Sequence, residues 1–136
     1  MKYTSLFTIT FIIGLFACNS KQPINNENIQ GTWTCFDYTI SGEGINQTME
    51  TQSKQIALQT TYKFIHDTLI MKNDYFILPS TYSISADGKQ MICSVIGYTN
   101  IQPRIFSIQD FTGDVLVLEE AQQGITTKTF LQRNKD

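Results

Sequence analysis

The sequence contains few side chains of the kinds that perform catalysis or bind metals. It has one histidine, His66, and three cysteines among 136 residues. His66 lies between two apolar segments, where a turn residue in water is the default interpretation. No paired His or Cys spacing suits zinc, no Gly-x-Ser-x-Gly segment indicates a serine hydrolase, and Gly42-Glu43-Gly44 is not followed by a strand-to-helix switch that would bind phosphate. The residues therefore predict a protein that is not an enzyme and carries neither a cofactor nor a metal.

Arg104 is the charged residue whose position favours ligand binding. It shares its alternation with Phe106 and Ile108, so it points inward if they do. An inward arginine near the mouth of a cavity could bind a ligand carboxylate through two parallel hydrogen bonds. Because Pro103 places Arg104 at the beginning of a strand, a water-exposed position at the rim is the alternative that the sequence favours.

The composition narrows the class of protein. Ten basic and twelve acidic residues give a formal net charge of −2, whereas a nucleic-acid-binding protein needs a basic face. The chain is 41% hydrophobic and 16% charged, which argues against intrinsic disorder. Thr, Ile, Tyr and Phe recur throughout, and these residue types favour β-strands. A single β-rich domain that does not bind nucleic acid is expected.

Residues 1–17 have the composition of an export signal. Lys2 is followed by an almost continuously apolar segment, residues 6–17, which is shorter than the roughly 20 residues that cross a bilayer. The end of this segment, Leu15-Phe16-Ala17-Cys18, resembles the lipobox of bacterial lipoprotein signal peptides. The resemblance implies cleavage before Cys18 and acylation of Cys18, with attachment to a membrane through this lipid. An ordinary secretory signal with an incidental Cys18 is the alternative.

The residues that follow predict a tether and a location. Residues 18–28 are polar after Cys18 and contain Pro23, which is typical of a flexible spacer. By resemblance to enterobacterial lipoproteins, Asn19 is not the Asp that favours retention at the inner membrane, and no acidic run follows it. The periplasmic face of the outer membrane is therefore the expected location. Residues 29–136 form the predicted folded domain.

Short alternating segments separated by turn residues predict about eight strands within residues 31–133. Alternate positions of residues 55–65 are apolar, which predicts a strand there, with at most a short lid helix within residues 47–53. His66-Asp67 and Asp87-Gly88 predict hairpin turns, the second of type I′ with positive φ at both residues. These turns pair large side chains on one face: Phe64 with Leu69, Tyr62 with Met71, Ile84 with Met91 and Tyr82 with Cys93.

Hairpins in sequence order predict an all-β fold, an eight-stranded antiparallel up-and-down barrel. A barrel leaves no unpaired edge, and eight strands enclose room for side chains or one small ligand. A Greek-key sandwich would need long crossovers, and residues 41–53 could supply only one. The residues expected to line the interior and contact a ligand are Tyr62, Phe64, Leu69, Met71, Tyr82, Ile84, Met91 and Phe106, with Arg104 as the candidate anchor.

Two segments resemble lipocalins. Residues 29–33 (IQGTW) resemble the Gly-x-Trp beginning of the first lipocalin strand, and residues 129–133 (TFLQR) are similar to the closing strand of small bacterial lipocalin-like lipoproteins. The resemblance implies that Trp33 packs at the closed end of the barrel and that Arg133 lies across it as a cation–π partner. From the residues alone, Trp33 is also explained as a core aromatic and Arg133 as a solvated charge.

Cys35 and Cys93 could pair or remain free thiols. An oxidising compartment favours a disulfide. In a meander the two residues lie on the first and fifth strands, roughly opposite each other, whereas a disulfide needs Cα atoms within about 7 Å. The sequence therefore favours two buried thiols.

These features together predict a lipid-anchored, non-enzymatic, lipocalin-like protein of the bacterial envelope that binds a small apolar or amphipathic molecule. The alternative is a barrel filled by side chains that acts through protein contacts, with residues 41–53 as one contacting loop. A cavity of about 300 Å³ or more distinguishes the first hypothesis from the second.

Overall fold

The computed structural model describes residues 23–135, which form a closed antiparallel β-barrel and one helix. Each strand pairs with the next in sequence order, and the last pairs with the first. This is the predicted eight-stranded up-and-down barrel. The predicted signal peptide, Cys18 and the first part of the tether lie outside the described residues. The elements are β1 (Gly31–Gly42), α1 (Gln47–Leu58), β2 (Thr61–Ile65), β3 (Thr68–Lys72), β4 (Ile77–Ile84), β5 (Gln90–Val95), β6 (Arg104–Phe111), β7 (Val115–Gln122) and β8 (Ile125–Arg133).

The barrel has two distinct ends. The closed end carries residues 24–30 and the turns 66–67, 85–89 and 112–114. The open end carries α1 and the loops 73–76, 96–103 and 123–124. The described N-terminus and the open end therefore lie at opposite ends of the barrel.

The registers of the two predicted hairpins are confirmed. Phe64 pairs with Leu69 across β2 and β3, and Ile84 pairs with Met91 across β4 and β5. All four side chains belong to the core or pack against it. A shift of one residue would have turned these side chains outward, so the apolar face fixes the register.

The predicted strand over residues 55–65 is wrong in its first half, because α1 extends to Leu58. The Asn46 side chain caps the helix by accepting a hydrogen bond from the Met49 backbone amide at 3.0 Å. Ile56 and Leu58 are 46% and 42% exposed, so their alternation did not mark an inward face. Ala57 is the buried residue of the helix.

The turn at Asp87-Gly88 is not of type I′. Among residues 23–135, the positive φ angles outside glycine are at His66 and Gln123, so Asp87 has a negative φ while Gly88 has +68°. The Gly88 amide donates to the Ser85 carbonyl at 2.8 Å, and the Asp87 carboxylate accepts from the Ser85 hydroxyl at 2.6 Å. The longer loop is centred on the same point, which preserves the predicted register.

The packed domain begins before residue 29. Ile24 is buried in the core cluster, and the Ile29 amide donates to the Asn25 carbonyl at 3.2 Å to close a turn. Ile24 is therefore part of the packed chain, because its apolar side chain covers the closed end of the barrel.

Candidate ligand-binding site

A cavity of about 340 Å³ lies at the open end, between the barrel interior and α1. Strand residues form most of its wall, and α1 covers it from above. The lining residues are Tyr38, Ser53, Ile56, Ala57, Thr60, Tyr62, Met71, Phe76, Arg104, Phe106, Leu118, Glu120, Thr127 and Thr129. The volume exceeds the value of about 300 Å³ that a small-molecule site typically needs.

The predicted interior residues separate into two levels. Tyr62, Met71, Phe106 and Arg104 line the cavity. Phe64, Leu69, Tyr82, Ile84 and Met91 instead fill the barrel nearer the closed end. There the Phe64 and Tyr82 rings meet edge to face, with centroids 5.1 Å apart. The alternation of a strand identifies its inward face but not the height at which a cavity opens.

Arg104 lines the cavity from its rim, at the beginning of β6, and its side chain is 37% exposed. Its Nε and Nη2 atoms donate to the two carboxylate oxygens of Glu120 at 2.9 and 2.6 Å. The guanidinium carbon lies 4.8 Å from the Phe106 ring centroid. The Glu120 carboxylate raises the pKa of Arg104 above its usual value. The two Arg104 donors that the sequence analysis assigned to a ligand carboxylate therefore bind Glu120.

The Arg104–Glu120 pair bridges a seam between β6 and β7. Within the described chain, the backbone ladder of these strands extends from Phe111 and Leu116 to Ser107 and Glu119. Residues 104–106 and 120–122 continue toward the open end without ladder pairs. The salt bridge therefore joins the two strands at a level where their backbones do not.

Two phenols add neutral polar groups to the cavity wall. Tyr38 and Tyr62 line the cavity together with the hydroxyls of Thr127 and Thr129 on β8. Burial raises the pKa of both phenols, most strongly that of Tyr62. Both hydroxyls are therefore uncharged at neutral pH and can donate or accept a hydrogen bond.

Helix α1 is attached to the barrel near its C-terminal end. The Lys54 ammonium lies 2.6 Å from the Asp37 carboxylate of β1. The Thr60 hydroxyl accepts from the Asn73 side-chain amide at 3.2 Å, and Asn73 also accepts from the Phe76 backbone amide at 3.0 Å. These contacts hold α1 and the loop 73–76 together over the cavity.

Sequence reasoning missed Tyr38 and Glu120. A β-bulge between Cys35 and Asp37 reverses the alternation of β1 and turns Tyr38 inward. Glu120 follows Leu116 and Leu118 on the inner face of β7, but the length of the preceding turn is ambiguous in the sequence, so either Leu116 or Val115 could face inward. Once Leu116 is known to face inward, the period of two identifies Glu120.

The closed end contains Trp33 and Arg133. The Arg133 guanidinium carbon lies 4.2 Å from the Trp33 ring centroid, and the Trp33 indole donates to the Ile29 carbonyl at 2.9 Å. Arg133 also donates to the carbonyls of Gly113 and Asn28 at 2.7 and 2.6 Å, and to that of Gln30. This arrangement covers the base of the barrel.

Cys35 and Cys93 are both free and buried. Burial raises the pKa of Cys35 to about 11 and that of Cys93 to about 12. Both side chains are therefore neutral thiols at physiological pH, in agreement with the arrangement that the sequence favoured.

Within residues 23–135, no three His, Cys, Asp or Glu side chains are grouped so that they could hold a metal ion. None of the described helices has the length and apolar character needed to span a membrane. Comparison with protein-family models, curated proteins and solved structures gives no match to this chain. The fold and the cavity together define an eight-stranded barrel with a mixed polar and apolar cavity at one end.

Proposed function

We propose that this protein is a lipid-anchored, non-enzymatic binding protein of the bacterial cell envelope that holds a small amphipathic molecule at the open end of its barrel. The cavity of about 340 Å³ is the observation that carries this proposal. Its wall combines apolar side chains, such as Met71 and Phe106, with hydroxyls and one ion pair. Pockets that bind small molecules combine a mainly apolar wall with a few fixed polar groups.

The lipid anchor is proposed from the sequence around Cys18 and is consistent with the position of the described N-terminus. Residues 24–30 pack at the closed end, opposite the cavity. A chain attached through Cys18 could therefore present its open end away from the lipid surface. The periplasmic face of the outer membrane remains the proposed location.

Native mass spectrometry tests the proposed binding function. The chain from Asn19 onward, exported behind a non-lipoprotein signal, avoids detergent that would compete for the cavity. Residues 23–135 close the barrel and cover its base, so this chain retains the site. We expect a co-purified small molecule that dissociates on activation. The absence of any adduct, with no change in melting temperature across a panel of amphiphiles, would contradict the proposal.

A second candidate function, contact with another protein, is favoured by the loops at the open end. Tyr75 is 78% exposed, and Ile77 and Tyr98 are each 63% exposed. Aromatic residues are enriched in protein interfaces. This function would be supported instead if a second protein co-purified with the unaltered chain but not with a Tyr75→Ser, Tyr98→Ser double variant. The cavity should then bind no small molecule.

A further inference from the structure

We propose that the cavity selects an uncharged amphiphile whose head group both donates and accepts hydrogen bonds, such as an amide or an alcohol, in preference to a carboxylate. This inference rests on the proposed binding function and specifies its ligand class. It is derived from the Arg104–Glu120 pair and the neutral groups that surround it.

The charge of the cavity wall is balanced. Among its described lining residues, Arg104 and Glu120 are the two with charged side chains. Both oxygens of Glu120 accept from Arg104, so the arginine is already neutralised by a bidentate contact. A ligand carboxylate bound to Arg104 would lie beside Glu120, and a ligand ammonium bound to Glu120 would lie beside Arg104. Each arrangement places like charges together in a partly desolvated site.

Displacing Glu120 to admit a carboxylate is also unfavourable. The Glu120 side chain is 12% exposed, and its salt bridge joins β6 to β7 above the last ladder pair. Separating the pair would leave the mostly buried Glu120 carboxylate without its partner, which is unfavourable away from bulk water. The ion pair therefore behaves as a fixed part of the wall.

The fixed pair still has unused hydrogen-bonding capacity. A carboxylate oxygen has a second acceptor site, and a guanidinium has five N–H donors, of which Nε and Nη2 contact Glu120. The hydroxyls of Tyr38 and Tyr62 lie in the same wall and are neutral. A head group with one donor and one acceptor can use these groups without introducing a net charge.

The cavity size sets the length of the probes. At roughly 30 Å³ for each small group, the share of one water molecule in the liquid, the cavity holds on the order of ten heavy atoms. Octanamide, octanoate and octylamine have this size and carry zero, negative and positive charge at pH 7. The amide and the carboxylate are nearly isosteric, so their comparison isolates charge.

Isothermal titration calorimetry of the non-lipidated chain with these three probes tests the inference. In the unaltered protein we expect octanamide to bind at least about tenfold more tightly than octanoate or octylamine. Glu120→Gln should strengthen octanoate binding about tenfold or more, since it frees Arg104. Arg104→Gln should do the same for octylamine. The double variant should again prefer octanamide, and it keeps the test valid if a single variant is unstable.

Glu119→Gln is the matched control, because Glu119 is the neighbouring carboxylate on β7 and does not line the cavity. Its carboxylate lies 3.2 Å from the Lys128 ammonium. This variant should leave all three affinities within about threefold of the unaltered values. Octanoate binding as tightly as octanamide to the unaltered protein would overturn the charge preference but not the binding function. The charge preference would also be overturned if Glu119→Gln strengthened octanoate binding as much as Glu120→Gln does. Failure of every variant to bind any probe would contradict the proposed function itself.

Discussion

The Arg133 guanidinium lies 4.2 Å from the centroid of the Trp33 ring, so the last strand of the barrel packs its cation onto an aromatic residue of the first. The same guanidinium donates to three backbone carbonyls from the N-terminal segment and from the turn before β7. One side chain therefore connects the N-terminal turn, the final strand and the turn 112–114 at the closed end.

Replacement of Arg133 should destabilise the barrel. Arg133→Ala removes the cation–π contact and three charge-assisted hydrogen bonds, so we expect the free energy of unfolding to fall by about 2–4 kcal/mol. Arg133→Lys should recover only part of this loss, because an ammonium cannot reproduce the planar fork. Urea denaturation measures both. Lys135→Ala, at a nearby exposed position, is the control, and an equal loss there would contradict the role of Arg133.

Filling the cavity should abolish ligand binding without unfolding the protein. Ala57 is the buried residue of α1 and lines the cavity. In Ala57→Phe the larger side chain should occupy the ligand volume, and the co-purified molecule should disappear from the native mass spectrum. We expect the melting temperature of the ligand-free protein to change little, because the larger side chain extends into the cavity and not into the packed core. Ala86→Phe, in the exposed turn at the closed end, should retain the ligand. Retention in Ala57→Phe would place the ligand elsewhere.

The buried thiols should make the protein less stable at high pH. Burial raises the folded pKa of Cys35 to about 11 and that of Cys93 to about 12, from an ordinary value of 9.0. Between these limits the folded state binds more protons than the unfolded state, so stability is present below pH 9 and falls as pH rises toward 12. Cys93→Ala should reduce this slope in melting temperatures measured from pH 8 to 11. If neither Cys93→Ala nor Cys35→Ala changed the slope, the proposed role of the two thiols in the pH dependence would be contradicted.

The same burial predicts slow thiol chemistry. At pH 8 we expect neither Cys35 nor Cys93 of the folded chain that begins at Asn19 to react with a thiol-specific reagent on the timescale of minutes, because the thiolate is the nucleophile. Two thiols should react after denaturation. Fast reaction of the native protein would show that the barrel opens readily.

The lipid anchor predicted from residues 15–18 depends on Cys18. Metabolic labelling with an alkyne fatty acid should label the full-length protein, and Cys18→Ala should abolish the label while residues 23–135 still form the barrel. Cys35→Ala is the control and should retain the label. A label that persists in Cys18→Ala would exclude lipidation at this residue.

The sequence by itself determined the strand order and the inward faces of the hairpins. Tyr62 and Phe64 alternate with polar residues, and a tight turn at His66-Asp67 leaves one register that buries them. These are local properties, because period and turn length depend on neighbouring residues only. The same local reasoning wrongly extended a strand through residues 55–58, which belong to α1. The Asn46 side chain caps this helix, and Ile56 on it is exposed.

Only the tertiary structure decided what lies at the open end. The bulge after Cys35 that turns Tyr38 inward, and the contact of Arg104 with Glu120 sixteen residues away, depend on how strands meet across the barrel. The alternation of residues along a strand indicates which side chains face inward. It indicates neither their height along the barrel axis nor their partners on other strands. The cavity and its charge balance result from closure, since closure brings distant strands to one wall.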